Sequence, residues 1–328
     1  MFTNQLYLLY VIGVMLIAGL AKEHNIFSSI HNFFISKIKN KKILATILST
    51  ISGILPVPGR IVVAAPLFDS ITNYKKESKE KFGIVNYIAT HHYYLWSPLE
   101  KTIILPMAAF GLTYTALVAK LLPLLIMYLA FTAWVIIKYL KTEDISIKQL
   151  PKGKHPLHCI PLVLGFIALI MGYTPWIIFS ILPCYYLLIT KTFNLKKILS
   201  YINWKVVISL SLVLFFSTFM KKFIDIDSIF NNSSFSLSLS LLITFCLSWL
   251  LGSSSKFSGI VVIACTIFGL KYLPLFFAVD FAGYLLALFS HKCVMITKQY
   301  FDTPILEFLK IVGILCGLLI IVGLAVTL

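Results

Sequence analysis

The sequence predicts an all-α polytopic membrane protein built from two inverted-topology repeats. Each repeat holds a re-entrant hairpin and a broken transmembrane helix, for a total of about eight crossings and two hairpins. Three observations predict this. First, the 328 residues are 59% hydrophobic and only 12% charged, against roughly 25% charge in soluble domains. Second, the apolar run 43–72 is split at its centre by Gly53, Pro56, Pro58, Gly59 and Arg60. A helix does not run unbroken through Pro-x-Pro-Gly, and each arm is too short for the roughly 20 residues that span a bilayer. Third, residues 236–269 repeat the design around Gly252, Ser253, Ser254, Ser255, Lys256 and Ser258. An offset of 199 residues carries Gly53 onto Gly252, Ile61-Val62-Val63 onto Ile260-Val261-Val262, Ala65 onto Ala264 and His92 onto His291. One offset shared by two interrupted hairpins and a histidine is the mark of an internal repeat.

Taken in order, residues 5–21 form a first span, read as retained because no basic leader or small-residue cleavage site precedes or follows it. Lysines 22, 37, 39, 41 and 42, with Phe33 and Phe34 between them, make 22–42 an interfacial segment on the cytoplasmic side. The hairpin 43–72 enters and leaves from that side. Residues 82–118 form one broken span, interrupted near His91, His92, Ser97, Pro98 and Glu100, and 119–137 return inward. The first repeat thus covers 1–140. The linker 141–203 opens with a lysine-rich loop and contributes two spans, 157–173 and 175–190. The second repeat, 204–328, holds a span at 206–220, the hairpin 236–269 entered from outside, a second broken span 272–298 and a last span 305–327. Both termini fall outside the cell membrane. The net charge of +16 lies in these loops, as the positive-inside rule and anionic lipid require. Nucleic acid is not an expected partner; membrane lipid is.

Polar groups inside such a plan are functional candidates. Arg60 and Lys256 at the hairpin tips offer positive charge to an anion, with Ser253, Ser254, Ser255, Ser258 and tip amides as donors; the bland alternative is snorkelling to an interface. His91, His92, Ser290 and His291 lie at the helix breaks. There the imidazoles either meet a solute or a proton, or hydrogen-bond carbonyls that the breaks set free. Asp280 is the clearest intramembrane carboxylate, a candidate for coupling to H+ or Na+. A di-histidine metal site is the lesser alternative, because no carboxylate or thiolate stands at metal-ligand spacing on the same helix face; no metal or other cofactor is expected. The six cysteines read as small core hydrophobes. The aromatic residues read as lipid-facing or belt residues. Phosphate-loop and common hydrolase motifs are missing, so no catalytic residue is assigned and an enzyme is not expected.

The segments SGILPVPGRIVVAAP, VNYIATHHYYLWSPL and GYLLALFSHKCVMITKQYF resemble three signatures of an uncharacterised prokaryotic membrane family, catalogued as domain of unknown function four-hundred-and-one. The family is grouped with the ion-transporter superfamily. Pro56, Pro58 and Gly59 match the first signature. Asn86, Tyr87, His91 and Pro98 match the second, and Gly283, Tyr284, His291 and Cys293 the third. The chain departs at Arg60, Thr90 and Ala287-Leu288, where the family tends to have glycine, arginine and Ser-Pro. The resemblance implies two inverted repeats with hairpins in a carrier with elevator-type motion, of a kind whose scaffold spans often dimerise; Pro56, Pro58, Gly59, Asn86, His91 and His291 match its signatures and join the hairpin-tip Arg60 as candidate substrate-binding residues. The combined expectation is a secondary transporter of a small anionic solute, driven by H+ or Na+. A cation/proton antiporter centred on Asp280 and the histidines, and a membrane-embedded lipid-handling enzyme, are the alternatives.

Overall fold

The computed structural model describes residues 2–24, 26–40, 43, 44, 46, 47, 76–98, 100–139, 160–202, 204, 207, 208, 211, 212, 215, 237–252 and 254–328. Every extended regular element among them is a helix. In chain order these are α1 (Phe2–Glu23), α2 (Ile26–Lys37), α3 (Lys76–Ala89), a 3-10 turn at His92–Leu95, α4 (Lys101–Phe110) and α5 (Tyr114–Tyr139). There follow α6 (Ile160–Ile170), α7 (Pro175–Thr190), α8 (Leu195–Ser200), α9 (Leu237–Leu251) and α10 (Ser254–Phe268). After a 3-10 turn at Leu270–Tyr272 come α11 (Leu273–Leu285), α12 (Lys292–Phe301) and α13 (Ile305–Thr327). The chain divides into two compact units, each drawn from separate stretches. Residues 1–93, 132–204 and 296–304 form one; 94–131, 205–295 and 305–328 form the other.

Two of the described helices, α5 and α13, are long and apolar enough to cross a membrane. At 1.5 Å per residue they extend about 39 and about 34 Å, against a hydrocarbon core of about 30 Å. A core helix of a soluble protein would be mostly buried. Here only 39% and 33% of the most apolar stretch of each is covered, and Ile126, Ile137, Ile314 and Ile321 stand exposed. The pattern in α9 is sharper. Its buried residues are Ser240, Thr244 and Ser248, spaced one turn apart, while Leu242, Leu247, Trp249 and Leu250 face outward. A hydroxyl stripe inside and a hydrocarbon surface outside suits lipid and inverts the amphipathicity of a soluble surface helix.

In the first unit, α1 packs on α7. Tyr10 and Phe179 rings lie 4.8 Å apart, and a Cβ on Gly13 would sit 1.8 Å from the Phe179 carbonyl oxygen. Only glycine lets the two backbones come this close, the usual device of helix contacts without a hydrophobic driving force. Tyr201 lies against Gly19 and its hydroxyl donates to Glu23, which also pairs with Lys197. His24 Nε2 and Thr192 Oγ1 meet beside them at 3.2 Å. The loop after α7 is thereby tied to the end of α1. On α3, a Cβ at Gly83 would sit 2.2 Å from Thr303 Oγ1, and that hydroxyl donates to the Glu80 carbonyl at 3.0 Å.

The second unit is organised on α11, all thirteen residues of which are buried. It packs against α9, α10 and α13. A Cβ on Gly283 would sit 2.5 Å from the Phe245 carbonyl oxygen, and one on Gly323 would sit 2.7 Å from Ala278 Cβ. Glycines therefore admit α9 and α13 to α11 at near-backbone distance.

Element boundaries differ from expectation: α3 begins at Lys76, six residues before the expected first broken span, and α12 runs to Phe301, three beyond the second. Residues 114–118 belong to α5 and not to the broken span, which ends at Phe110. Gly111 closes α4 in the left-handed region at φ 64°, where glycine carries no Cβ penalty. Thr113 then opens α5 by accepting the Ala116 amide at 3.2 Å, the role of an N-cap.

Two outcomes follow from this packing. Gly323→Val is expected to destabilise the protein by roughly 1–3 kcal/mol through overpacking, whereas Gly317→Ala, which meets nothing within 4 Å, is expected to be neutral or stabilising; thermal unfolding in detergent reads both. The Glu23 carboxyl, beyond the 5–21 span, is held below its ordinary range, first by Lys197 and then by Tyr201. Its contribution to stability is complete above about pH 4.3 and is lost as pH falls through the lower folded-state value. Tyr201 is pushed up to about 12, by burial and then by its bond to Glu23, so its contribution holds below about pH 10 and fades as pH rises further. Melting temperatures across pH are expected to be flatter in Glu23→Gln than in wild type at both ends.

Candidate functional site

Two backbone interruptions of the second unit meet, with Ser290 and His291 between them. At the first, α9 ends and α10 begins around Gly252, whose φ of 48° is in the left-handed region. At the second, α11 ends at Leu285 and α12 starts at Lys292, leaving 286–291 without helical structure. Ser290 Oγ donates to the Trp249 carbonyl at 3.0 Å, and a Cβ on Gly252 would lie 2.2 Å from Ser290 Oγ. The turn thus rests directly on the break. An interrupted helix leaves carbonyls without intrahelical donors. The Tyr284 carbonyl takes the Ala287 amide at 3.3 Å, and His291 adds a second donor: its Nδ1–H donates to that carbonyl at 3.2 Å, and its ring lies 4.1 Å from that of Tyr284. His291 is buried.

The first half makes the same arrangement within the other unit. His91 Nδ1–H donates to the Tyr87 carbonyl at 2.6 Å, and the two rings lie 4.2 Å apart. Thr90, where the family signature tends to arginine, turns its hydroxyl back onto the Asn86 carbonyl at 2.7 Å. A carbonyl only accepts, so each histidine carries its proton on Nδ1. In the neutral ring Nε2 is then the acceptor, a position suited to a donor or to an incoming proton. The stack is made by His91 in one half and His291 in the other, four and seven residues after their tyrosines. His92, which the 199-residue offset pairs with His291, is buried at the start of the 3-10 turn.

Asn86 is fully buried, and neither side-chain atom has a hydrogen-bond partner among the described residues. Asp280 lies in the unbroken middle of α11, fully buried. Arg60, Pro56, Pro58, Gly59 and Ser253 lie outside the described residues, as does most of the hairpin 43–72. Ser254, Ser255, Lys256 and Ser258 fall in the first turns of α10; their side chains are likewise outside the description. The turn between the arms is therefore centred on Gly252, with the serines already helical.

Two features went unread in the sequence. Tyr94 and Tyr284 share a hydroxyl–hydroxyl hydrogen bond of 2.6 Å, which joins the segment after the first break to α11. Tyr94 is held in place by Thr102, whose hydroxyl donates to its carbonyl at 2.9 Å, and Phe281 is stacked by Tyr128 at 5.7 Å. The second feature is the hydroxyl stripe of α9. Serine and threonine recurring every fourth residue, 240, 244 and 248, was the signal available for it.

The regular elements described are helical, two of them of membrane length, and His91 and His291 stand buried at interruptions. Across residues 3–328 it matches the model of a family described as "Protein of unknown function (DUF401)", and it belongs to that family. No curated protein matches it.

The Tyr94–Tyr284 bond is testable by a double-mutant cycle. Tyr94→Phe and Tyr284→Phe are each expected to destabilise the protein, the double variant little more than either, for a coupling of about 1 kcal/mol. Strict additivity in detergent unfolding would remove the bond from the solution structure.

Proposed function

We propose that the protein is a secondary active transporter of a small anionic solute, working by elevator-type alternating access in the cell membrane of a prokaryote, with both termini outside. Transport is coupled to H+ or Na+. The observation that carries the reading is the seating of the Gly252 turn on the 286–291 break, with Ser290 bonded to the Trp249 carbonyl. Carriers place solute and ion sites where discontinuous helices bring free backbone groups and partial charges to mid-membrane. The Tyr–His stack in each half supports an internal repeat, which a carrier needs in order to face two compartments alternately and a lipid-handling enzyme does not.

In this reading each unit has its own groups to offer a solute: the first has Asn86, the His91 Nε2 atom, Arg60 and the Pro56–Gly59 backbone, and the second has Ser290, the His291 Nε2 atom, Lys256, Ser253, Ser254, Ser255 and Ser258. Asp280 and the histidines also suit cation/proton antiport, because a buried carboxylate favours a cation over an anion.

Proteoliposomes given a panel of carboxylate and oxyanion solutes, under an inward proton or sodium gradient, separate the two. Anion uptake abolished in the Arg60→Ala/Lys256→Ala pair is the expected result. Uptake that ignores both tip residues but vanishes in Asp280→Asn would transfer the assignment to antiport.

A further inference from the structure

The polar group that the solute site leaves unused is Asp280. Its two carboxyl oxygens have no hydrogen-bond partner among the described residues, although every residue of α11 is buried. Ser248 Oγ on α9 is likewise buried and unpartnered among the described residues. The two lie at one helix crossing: Gly283 follows Asp280 by one turn, and a Cβ there would sit 3.0 Å from Ser248 Cβ.

The surroundings hold little that would satisfy a charge. Cys265 of α10 is within electrostatic reach of Asp280. From α13, Cys316 donates to the Ala282 carbonyl at 3.6 Å. The only titratable side chain of α9, Cys246, is exposed. Tyr94 and Tyr128 approach Phe281 and Tyr284 on the same helix. Among the described residues no basic side chain stands at ion-pair distance from the carboxyl.

An ionised carboxylate without a partner is far more costly in a dry interior than a neutral one. A sodium ion would relieve the charge only with a shell of several oxygens, as hard cations require. Around Asp280 the α11 backbone is unbroken, so its carbonyls are already engaged. Among the described residues the carboxyl and one hydroxyl remain, enough for a proton and too few for a metal ion.

We propose that Asp280 carries the coupling proton of the transport cycle, with Ser248 at the α9–α11 crossing as the hydroxyl that hydrogen-bonds the carboxylate once the proton has left. The proposal rests on the transport reading above and selects H+ over Na+. In the closed arrangement the carboxyl is neutral. When water reaches the crossing, its O–H bond breaks, the proton passes to water on one side, and Ser248 donates to the carboxylate left behind. A proton taken up from the opposite side restores the neutral form.

The test is infrared spectroscopy of the whole protein reconstituted in lipid, with aspartate carboxyls carbon-13 labelled, at about pH 8, where exposed carboxyls are ionised. A labelled carbonyl-stretch band of a protonated carboxyl is expected in wild type. It is expected to be absent in Asp280→Asn, and in Asp280→Glu to be replaced by an unlabelled one. Wild type lacking the band, or losing it when sodium replaces potassium, overturns the proposal. The wild-type spectrum decides this even if Asp280→Asn fails to fold. Because the readout needs no solute, a band present alongside a uniformly negative uptake screen removes the transport reading and leaves the proton site standing. Once a solute is in hand, Asp280→Asn is expected to lose stimulation by a pH gradient; stimulation equal to wild type would also overturn the proposal.

Discussion

The second unit depends on the burial of α11 on all its sides. A helix surrounded by protein needs neighbours that come close without voids, and Gly283 and Gly323 provide this by presenting no Cβ toward the Phe245 carbonyl and toward Ala278. In lipid there is no large apolar driving force between helices, so such close contact supplies the dispersion energy that holds them. The same closeness keeps water out. Any polar group placed on α11 must therefore be satisfied by protein or remain neutral, and this gives Asp280 its chemical character.

The ends of the broken helices are governed by a second constraint. Carbonyls freed by a break must find donors. The protein uses histidine for this in both halves, at Tyr87–His91 and Tyr284–His291, with the ring folded onto the tyrosine it serves. One nitrogen is structural, which leaves the other for the role proposed above. The functional and structural readings of these histidines are thus not rivals, because a single imidazole has two nitrogens. The sequence spacing differs, four residues in one half and seven in the other, and in the longer one the non-helical stretch 286–291 carries Ser290 onto the Trp249 carbonyl.

Much of this was legible beforehand. The interruption near 286–291 was visible from Ser290-His291-Lys292 within an apolar run, the second turn from Gly252, and the last helix from 23 uninterrupted residues, found at Ile305–Thr327. Less legible was anything that depends on which neighbour a side chain meets. Tyr94 and Tyr284 are 190 residues apart and look like ordinary belt aromatics. Glu23, Lys197 and Tyr201 look like loop polarity until the end of α1 and the segment after α7 are brought together. The start of α5 was misjudged because Thr113 reads as one more residue of a broken span until its hydroxyl is seen on the Ala116 amide.

The sequence by itself determined that the chain is helical, where its helices are interrupted, and which few polar residues stand among apolar ones. These are local matters: proline and glycine act on their own turn, and hydropathy is counted residue by residue. Tertiary structure alone decided which face of α9 is inside, which histidine of the pair at 91–92 stacks on a tyrosine, and that Asp280 is buried on the helix whose Gly283 meets Ser248. The physical reason is that solvation, and with it the chemistry of a carboxyl or an imidazole, is set by atoms distant in the chain whose approach depends on glycines that no local pattern distinguishes from the rest.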